Sequence, residues 1–279
     1  MTFGRTILLG AIAGSTIFLG LPLGRLRSPH PRLKALLNAL SAGILLFLLF
    51  DILKEATEKL EHLVELAGDG SPAWGRFAGL ASVYTLGLAG GLLSLLYLGK
   101  FRRSRRISPA IGPGAMAIAE AEEANIRQGA LHLGMSIAAG IGLHNFSEGL
   151  AIGQAAHQNE ISLAVLLVVG FAMHNATEGF GIVGPLAAGG VRASWSYLAT
   201  AGLIAGGPTF LGTIVGRSVS NDYLFVGFLT LAAGAIIYVV AELLFTGRRL
   251  GEWDMTIWGV LAGFLLGLAT ELVIVAANV

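Results

Sequence analysis

The sequence has no cysteine and little charge: 13% of its 279 residues are Asp, Glu, Lys or Arg. Without cysteine there is no disulfide, no thiolate metal site and no thiol catalysis. A water-soluble domain carries about a quarter charged residues, so the deficit excludes an ordinary soluble fold. The 18 basic and 17 acidic residues leave a net charge of +1, which excludes a nucleic-acid-binding polyelectrolyte. No low-complexity linker divides the chain. No small-x-small cleavage pattern follows the first apolar stretch, which is therefore expected to be a retained helix.

What the chain does have is hydrophobicity, at 54% of residues, together with 40 glycines. A bilayer core of about 30 Å needs roughly 20 apolar residues per helix. Such runs recur at about 4–24, 33–55, 74–99, 127–156, 161–184, 194–216, 222–246 and 253–276. The expected fold is an all-α polytopic membrane protein of eight transmembrane helices, one domain over residues 1–279. The second span is expected to continue as a water-exposed helix. Lys54, Glu55, Glu58, Lys59, Glu61 and Glu65 include opposite charges at i,i+4 spacing there. The one long connection, about 100–126, opens on Lys100, Arg102, Arg103, Arg105 and Arg106 and turns acidic at Glu120, Glu122 and Glu123.

Orientation follows from the Lys/Arg bias of the loops. Placing the loop between spans 1 and 2 inside puts 13 of the 18 basic residues inside, and Arg5, Lys54, Lys59, Arg76 and Arg217 outside. The 100–126 loop is then cytoplasmic, both termini extracytoplasmic, and the protein a multi-pass protein of the cell membrane.

The chain also resembles itself. At an offset of 192, Ala13, Gly14, Phe18, Leu19, Gly20, Gly24 and Arg25 match Ala205, Gly206, Phe210, Leu211, Gly212, Gly216 and Arg217. At an offset of 191, Ala42, Gly43 and Asp51 align with Ala233, Gly234 and Glu242. Spans 3 and 8 share LGLA at 86–89 and 266–269. Spans 1–3 and 6–8 run in opposite directions under this topology, so the expected arrangement is a 3+2+3 inverted repeat around spans 4 and 5. That is a transporter architecture. The Gly20/Gly24 and Gly212/Gly216 spacings mark close helix packing rather than ligands.

Spans 4 and 5 hold the chemistry. Span 4 reads His144-Asn145-Phe146-Ser147-Glu148-Gly149 and span 5 reads His174-Asn175-Ala176-Thr177-Glu178-Gly179. His and Glu at i and i+4 share a helix face. Asn at i+1 points about 100° round, towards a neighbouring helix or a further ligand position. An ionisable group at mid-bilayer costs roughly 2.5–3.5 kcal/mol on the insertion scale, so two such faces need compensation. Imidazole and carboxylate suit zinc, and also accept iron(II), manganese or cadmium. Asp51 and Glu271 lie towards the outer ends of spans 2 and 8, while His132 and Glu242 lie towards the inner side. These four are a candidate transport path. A zincin protease would show HExxH, which this chain lacks. The alternatives to transport are an intramembrane zinc hydrolase of another pattern and a metal-gated channel or sensor.

With eight spans, both ends outside and His-Asn-x-x-Glu-Gly in span 4, the chain resembles the Zrt/Irt-like (ZIP) divalent metal transporters. The resemblance implies a homodimer with no prosthetic group. It implies zinc, or another divalent transition metal, as a substrate moved into the cytoplasm by alternating access. Spans 1, 4, 5 and 6 would move against 2, 3, 7 and 8. His144, Asn145, Glu148, His174, Asn175 and Glu178 would be the metal ligands. Three features depart from the family. Its usual proline before the glutamate is Ser147 or Thr177 here, whose hydroxyls can bend a helix more weakly by bonding the i−4 carbonyl. The span 6 glutamate before proline is Gly207, before Pro208, and the histidine-rich 3–4 loop is absent.

Overall fold

The computed structural model describes residues 1–25, 30–67, 73–103, 118–159, 161–219 and 221–276, and every regular element among them is helical. The chain forms α1 (Phe3–Ser15), α2 (Pro31–Ala67), α3 (Ala73–Arg103), α4 (Ile118–His157), α5 (Ile161–Ala188), α6 (Trp195–Gly216), α7 (Asp222–Arg249) and α8 (Trp253–Ala276). After Ser15 the first helix tightens into two 3-10 turns, Thr16–Leu19 and Leu21–Arg25. Helix ends carry recognisable stops and starts. Ser194 caps α6 by accepting from the Tyr197 amide, and Asn221 caps α7 by accepting from the amides of Tyr223 and Leu224. Gly190 and Gly251, at φ 68° and 75°, take the left-handed conformation that lets α5 and α7 end abruptly.

Among the described residues, six helices are long and apolar enough to cross a membrane: α1 with its 3-10 continuation, α2, α3, α6, α7 and α8. The motif-bearing helices α4 and α5 are not among these six, and α5 includes side chains outside the described residues. Large side chains on the outside, such as Leu86 at 72% and Trp258 at 63% exposed, suit a surface that hydrocarbon covers. Two expectations shift. The ends of the 100–126 connection are helical, since α3 runs to Arg103 and α4 starts at Ile118; residues 104–117 lie outside the described residues. The extension of α2 is a helix with the Lys54–Glu58 pair at 3.9 Å, but it is not solvated all round. Ala56 and Leu63 are buried, and Lys59 reaches Asp222 at the start of α7 at 3.3 Å.

Two groups of helices result. In one, α2 packs on α8, α3 on α7 and α2 on α7; in the other, α1 packs on α5 and α6, and α4 on α5 and α6. The groups meet where α2 touches α5 and α4 touches α7. Glycine makes the tightest contacts. A Cβ on Gly14 would strike the carbonyl of Gly206, and one on Gly206 would strike that of Gly14, so α1 and α6 cross backbone on backbone. The Gly43 and Gly263 positions of α2 and α8 interlock in the same manner, as do Gly91 and Gly234 of α3 and α7. Gly20 and Gly212 press on the backbones of α5 and α4, as their spacing suggests. The ends of α1 and α6 are pinned as well. Arg217 donates to the Thr6 hydroxyl and the Met1 carbonyl, while Arg25 donates to the Ala193 carbonyl and stacks 4.5 Å from the Trp195 ring.

Gly206 and its neighbour give a paired test of this packing. Gly206→Ala should lower the melting temperature of the detergent-solubilised protein by several degrees, an overpacking cost of about 1–3 kcal/mol. Gly207→Ala should leave it unchanged or raise it slightly, because nothing lies within 4 Å of the position its Cβ would take and alanine favours the helix. Equal melting of both variants would show that the α1–α6 crossing is looser than described.

Candidate metal centre

The two motifs lie within helices α4 and α5, and the polar side chains described at their His144, Asn145, Glu148, Asn175 and Glu178 positions are buried. His144 is 2% exposed, Glu148 5% and Glu178 0%. Nε2 of His144 is 3.3 Å from Oε1 of Glu148, the i,i+4 approach that one helical turn predicts. The side chain of His174 lies outside the described residues. Among those described, no three His, Asp or Glu side chains gather into a group able to hold a metal ion.

The asparagines resolve a question that spacing alone left open. Asn145 and Asn175 are fully buried, and each turns its amide nitrogen to a neighbouring helix. Asn145 Nδ2 donates to the Ala205 carbonyl of α6 at 3.1 Å, and Asn175 Nδ2 donates to the Ala13 carbonyl of α1 at 3.0 Å. In both, Oδ1 is buried with no hydrogen-bond partner among the described residues. A buried carbonyl oxygen of this kind retains its capacity to accept, and a cation is one group able to use it. The Ser147 hydroxyl, which could bond back along its helix, is buried with no hydrogen-bond partner among the described residues, and α4 continues through it.

The candidate path residues are dispersed. Asp51 is half-buried on α2, Glu271 half-buried near the end of α8, and Glu242 half-buried on α7. The guanidinium groups of Arg248 and Arg249, one to two turns after Glu242, lie over the Trp253 and Phe245 rings. His132 is half-buried on α4, its carbonyl accepting from the Ser136 hydroxyl. Glu55 differs from the solvated position its charged neighbours suggest: it is half-buried and within electrostatic reach of His144, Glu148 and Asp51. Its i,i+4 relation to Asp51 was the available signal. The neighbouring lysines are engaged elsewhere, Lys54 with Glu58 and Lys59 with Asp222.

A family model described as "ZIP Zinc transporter" matches residues 112–270, a stretch that includes both motifs. The zinc transporter ZupT of Corynebacterium aurimucosum is 31% identical over 279 residues, an alignment covering 94% of each chain.

If these side chains hold a cation, removing one should be felt directly in binding. His144→Ala and Glu178→Gln are each expected to weaken zinc binding to the purified protein by at least about 100-fold. Equilibrium titration in detergent measures this, with size-exclusion behaviour confirming the fold. Unchanged affinity in both variants would remove α4 and α5 from consideration.

Proposed function

The chain belongs to the ZIP zinc transporter family, and from that premise we propose that it carries zinc into the cytoplasm by alternating access through a site on α4 and α5. It is a multi-pass membrane protein of a metal-transporting family and not an enzyme. The observation that carries the reading is burial: an imidazole and two carboxylates, His144, Glu148 and Glu178, are at most 5% exposed in the middle of apolar helices. Such groups are costly in hydrocarbon, and a divalent cation is the counter-charge that offsets them. His144, Asn145, Glu148, His174, Asn175 and Glu178 are the proposed ligands. Asp51 and Glu271 would receive the ion from outside, and His132 and Glu242 would pass it inward.

The packing supports the inverted repeat. The α2–α8 and α3–α7 pairs exchange if spans 1–3 and 6–8 are interchanged, and so do the α2–α5 and α4–α7 pairs. The Gly14–Gly206 contact maps onto itself. The Asn145–Ala205 and Asn175–Ala13 bonds map onto each other, since the acceptors are 192 residues apart and the donors 30. Gly43 on Gly263 answers Gly234 on Gly91, which favours a register for spans 3 and 8 eight residues away from the shared LGLA segments. All eight helices are proposed to span the membrane, with the termini outside, the 100–126 connection in the cytoplasm and the protein a homodimer like its family.

Gly207 bears on stoichiometry. The family's bridging glutamate is absent, so a second ion would have mainly amide oxygens and water, a poor set for zinc. One tight ion per protomer is proposed. The space beside Gly207 is open, so a side chain fits there.

Radiozinc uptake into proteoliposomes tests the function. Uptake should saturate, be competed by unlabelled zinc, and be lost in His144→Ala and Glu178→Gln while both proteins insert. Linear, uncompeted flux would indicate a channel instead. Gly207→Glu should raise the tight zinc stoichiometry above one per protomer. Two tight ions in the wild-type protein would refute the mononuclear reading.

A further inference from the structure

The buried amides of α4 and α5 do something that their position in a ligand motif does not require. Each spends its N–H groups on the backbone of another helix, at equivalent places. Asn145 holds the carbonyl of Ala205, the residue before Gly206, and Asn175 holds the carbonyl of Ala13, the residue before Gly14. These are the peptides at which α1 and α6 cross. Both acceptors adjoin a local irregularity. Helix α1 gives way to 3-10 geometry after Ser15, with the Thr16 hydroxyl also donating to Ala13 at 2.6 Å, and α6 carries Pro208 three residues after Ala205. The opposite end of each amide, Oδ1, is buried with no hydrogen-bond partner among the described residues.

Only a carboxamide combines these abilities at this length. A carboxylate accepts at both oxygens and cannot donate to a carbonyl, whereas serine and alanine are too short to reach one. When a cation binds the amide oxygen, electron density is drawn from the nitrogen and its N–H becomes a stronger donor, the mutual polarisation that joined hydrogen bonds show. We infer that Asn145 and Asn175 are positioning residues that couple occupancy of the site to α6 and α1, by tightening their grip on Ala205 and Ala13. This rests on the proposed α4–α5 site. Its consequence is that the pair of crossed helices is held to the cation through two amides, one for each helix. The cation is thereby linked to the backbone of all four helices of this group.

The test uses the full-length protein in nanodiscs, with zinc ions alone as probe, and reads backbone hydrogen exchange together with zinc binding and proteoliposome transport. In the wild type, zinc should slow exchange in both the 13–19 and 205–211 segments. Asn145→Asp should still bind zinc, lose the zinc-induced protection of α6 while retaining that of α1, and transport about tenfold more slowly. Asn175→Asp should show the converse pattern. Either variant transporting at the wild-type rate, or protection of both segments unchanged in both variants, would overturn the coupling. Should the variants not fold, the wild type decides alone: zinc that binds but leaves exchange in both segments unaltered sinks the idea, and protection confined to those segments supports it. Zinc binding that is indifferent to His144→Ala would instead show that the underlying site is wrong, and the coupling with it.

Discussion

Helices α1 and α6 cross with no side chain between them, Gly14 against Gly206, and much of the interior depends on that contact. In a bilayer the hydrophobic effect does not drive helix association, so close backbone approach and shared hydrogen bonds must supply it. The crossing brings the Ala13 and Ala205 carbonyls within reach of the asparagines on α5 and α4. A methyl group at the crossing would push those carbonyls away and leave two fully buried amides short of their acceptors. Buried polar groups in that condition cost about 1–3 kcal/mol each. The arginine contacts at both ends, Arg25 to Ala193 and Arg217 to Met1, keep the two helices from splaying.

The large features of this architecture were legible in the amino-acid sequence because the bilayer imposes them. Hydrocarbon thickness fixes the length of an apolar run, and α6 and α8 start and stop within a residue of where hydropathy places them. The His-Asn-x-x-Glu repeats stand out since ionisable residues are rare in such runs. What sequence could not supply was which helix lies against which. Asn145 carries the same text whether its amide meets a cation or a carbonyl, and only the arrival of Ala205 from 60 residues away decides the matter. The shared LGLA segments carry no information on register, since small-residue helices resemble one another while the contacts at Gly91 and Gly263 depend on three-dimensional packing. The exposed lysines around Glu55 set the local pattern in the sequence, whereas its own side chain is half-buried and within electrostatic reach of His144.

The two helix groups differ in what joins them. Within the α1, α4, α5 and α6 group, the Asn145 and Asn175 bonds run from side chain to backbone, and the closest contacts are glycine on peptide. Between the groups, α4 meets α7 through the tilted rings of Phe146 and Phe228, 4.3 Å apart, and through Gly140 facing the Ala235 methyl. Side-chain surfaces of this kind can slide with modest cost, whereas a donated N–H bond must break. Across the seam the α2–α5 contact is closer, with Gly184 of α5 against Ser41 of α2.

The order of the helices along the chain has a consequence for synthesis. The acceptor for Asn175 is on α1, made long before, so α5 finds its partner on emerging. Asn145 has no such partner waiting. Its acceptor, Ala205, follows 60 residues later, which at roughly 5–20 residues per second is an interval of several seconds. Until then its amide has no Ala205 carbonyl to donate to, so the tie between α4 and α6 is among the last of that helix group to form.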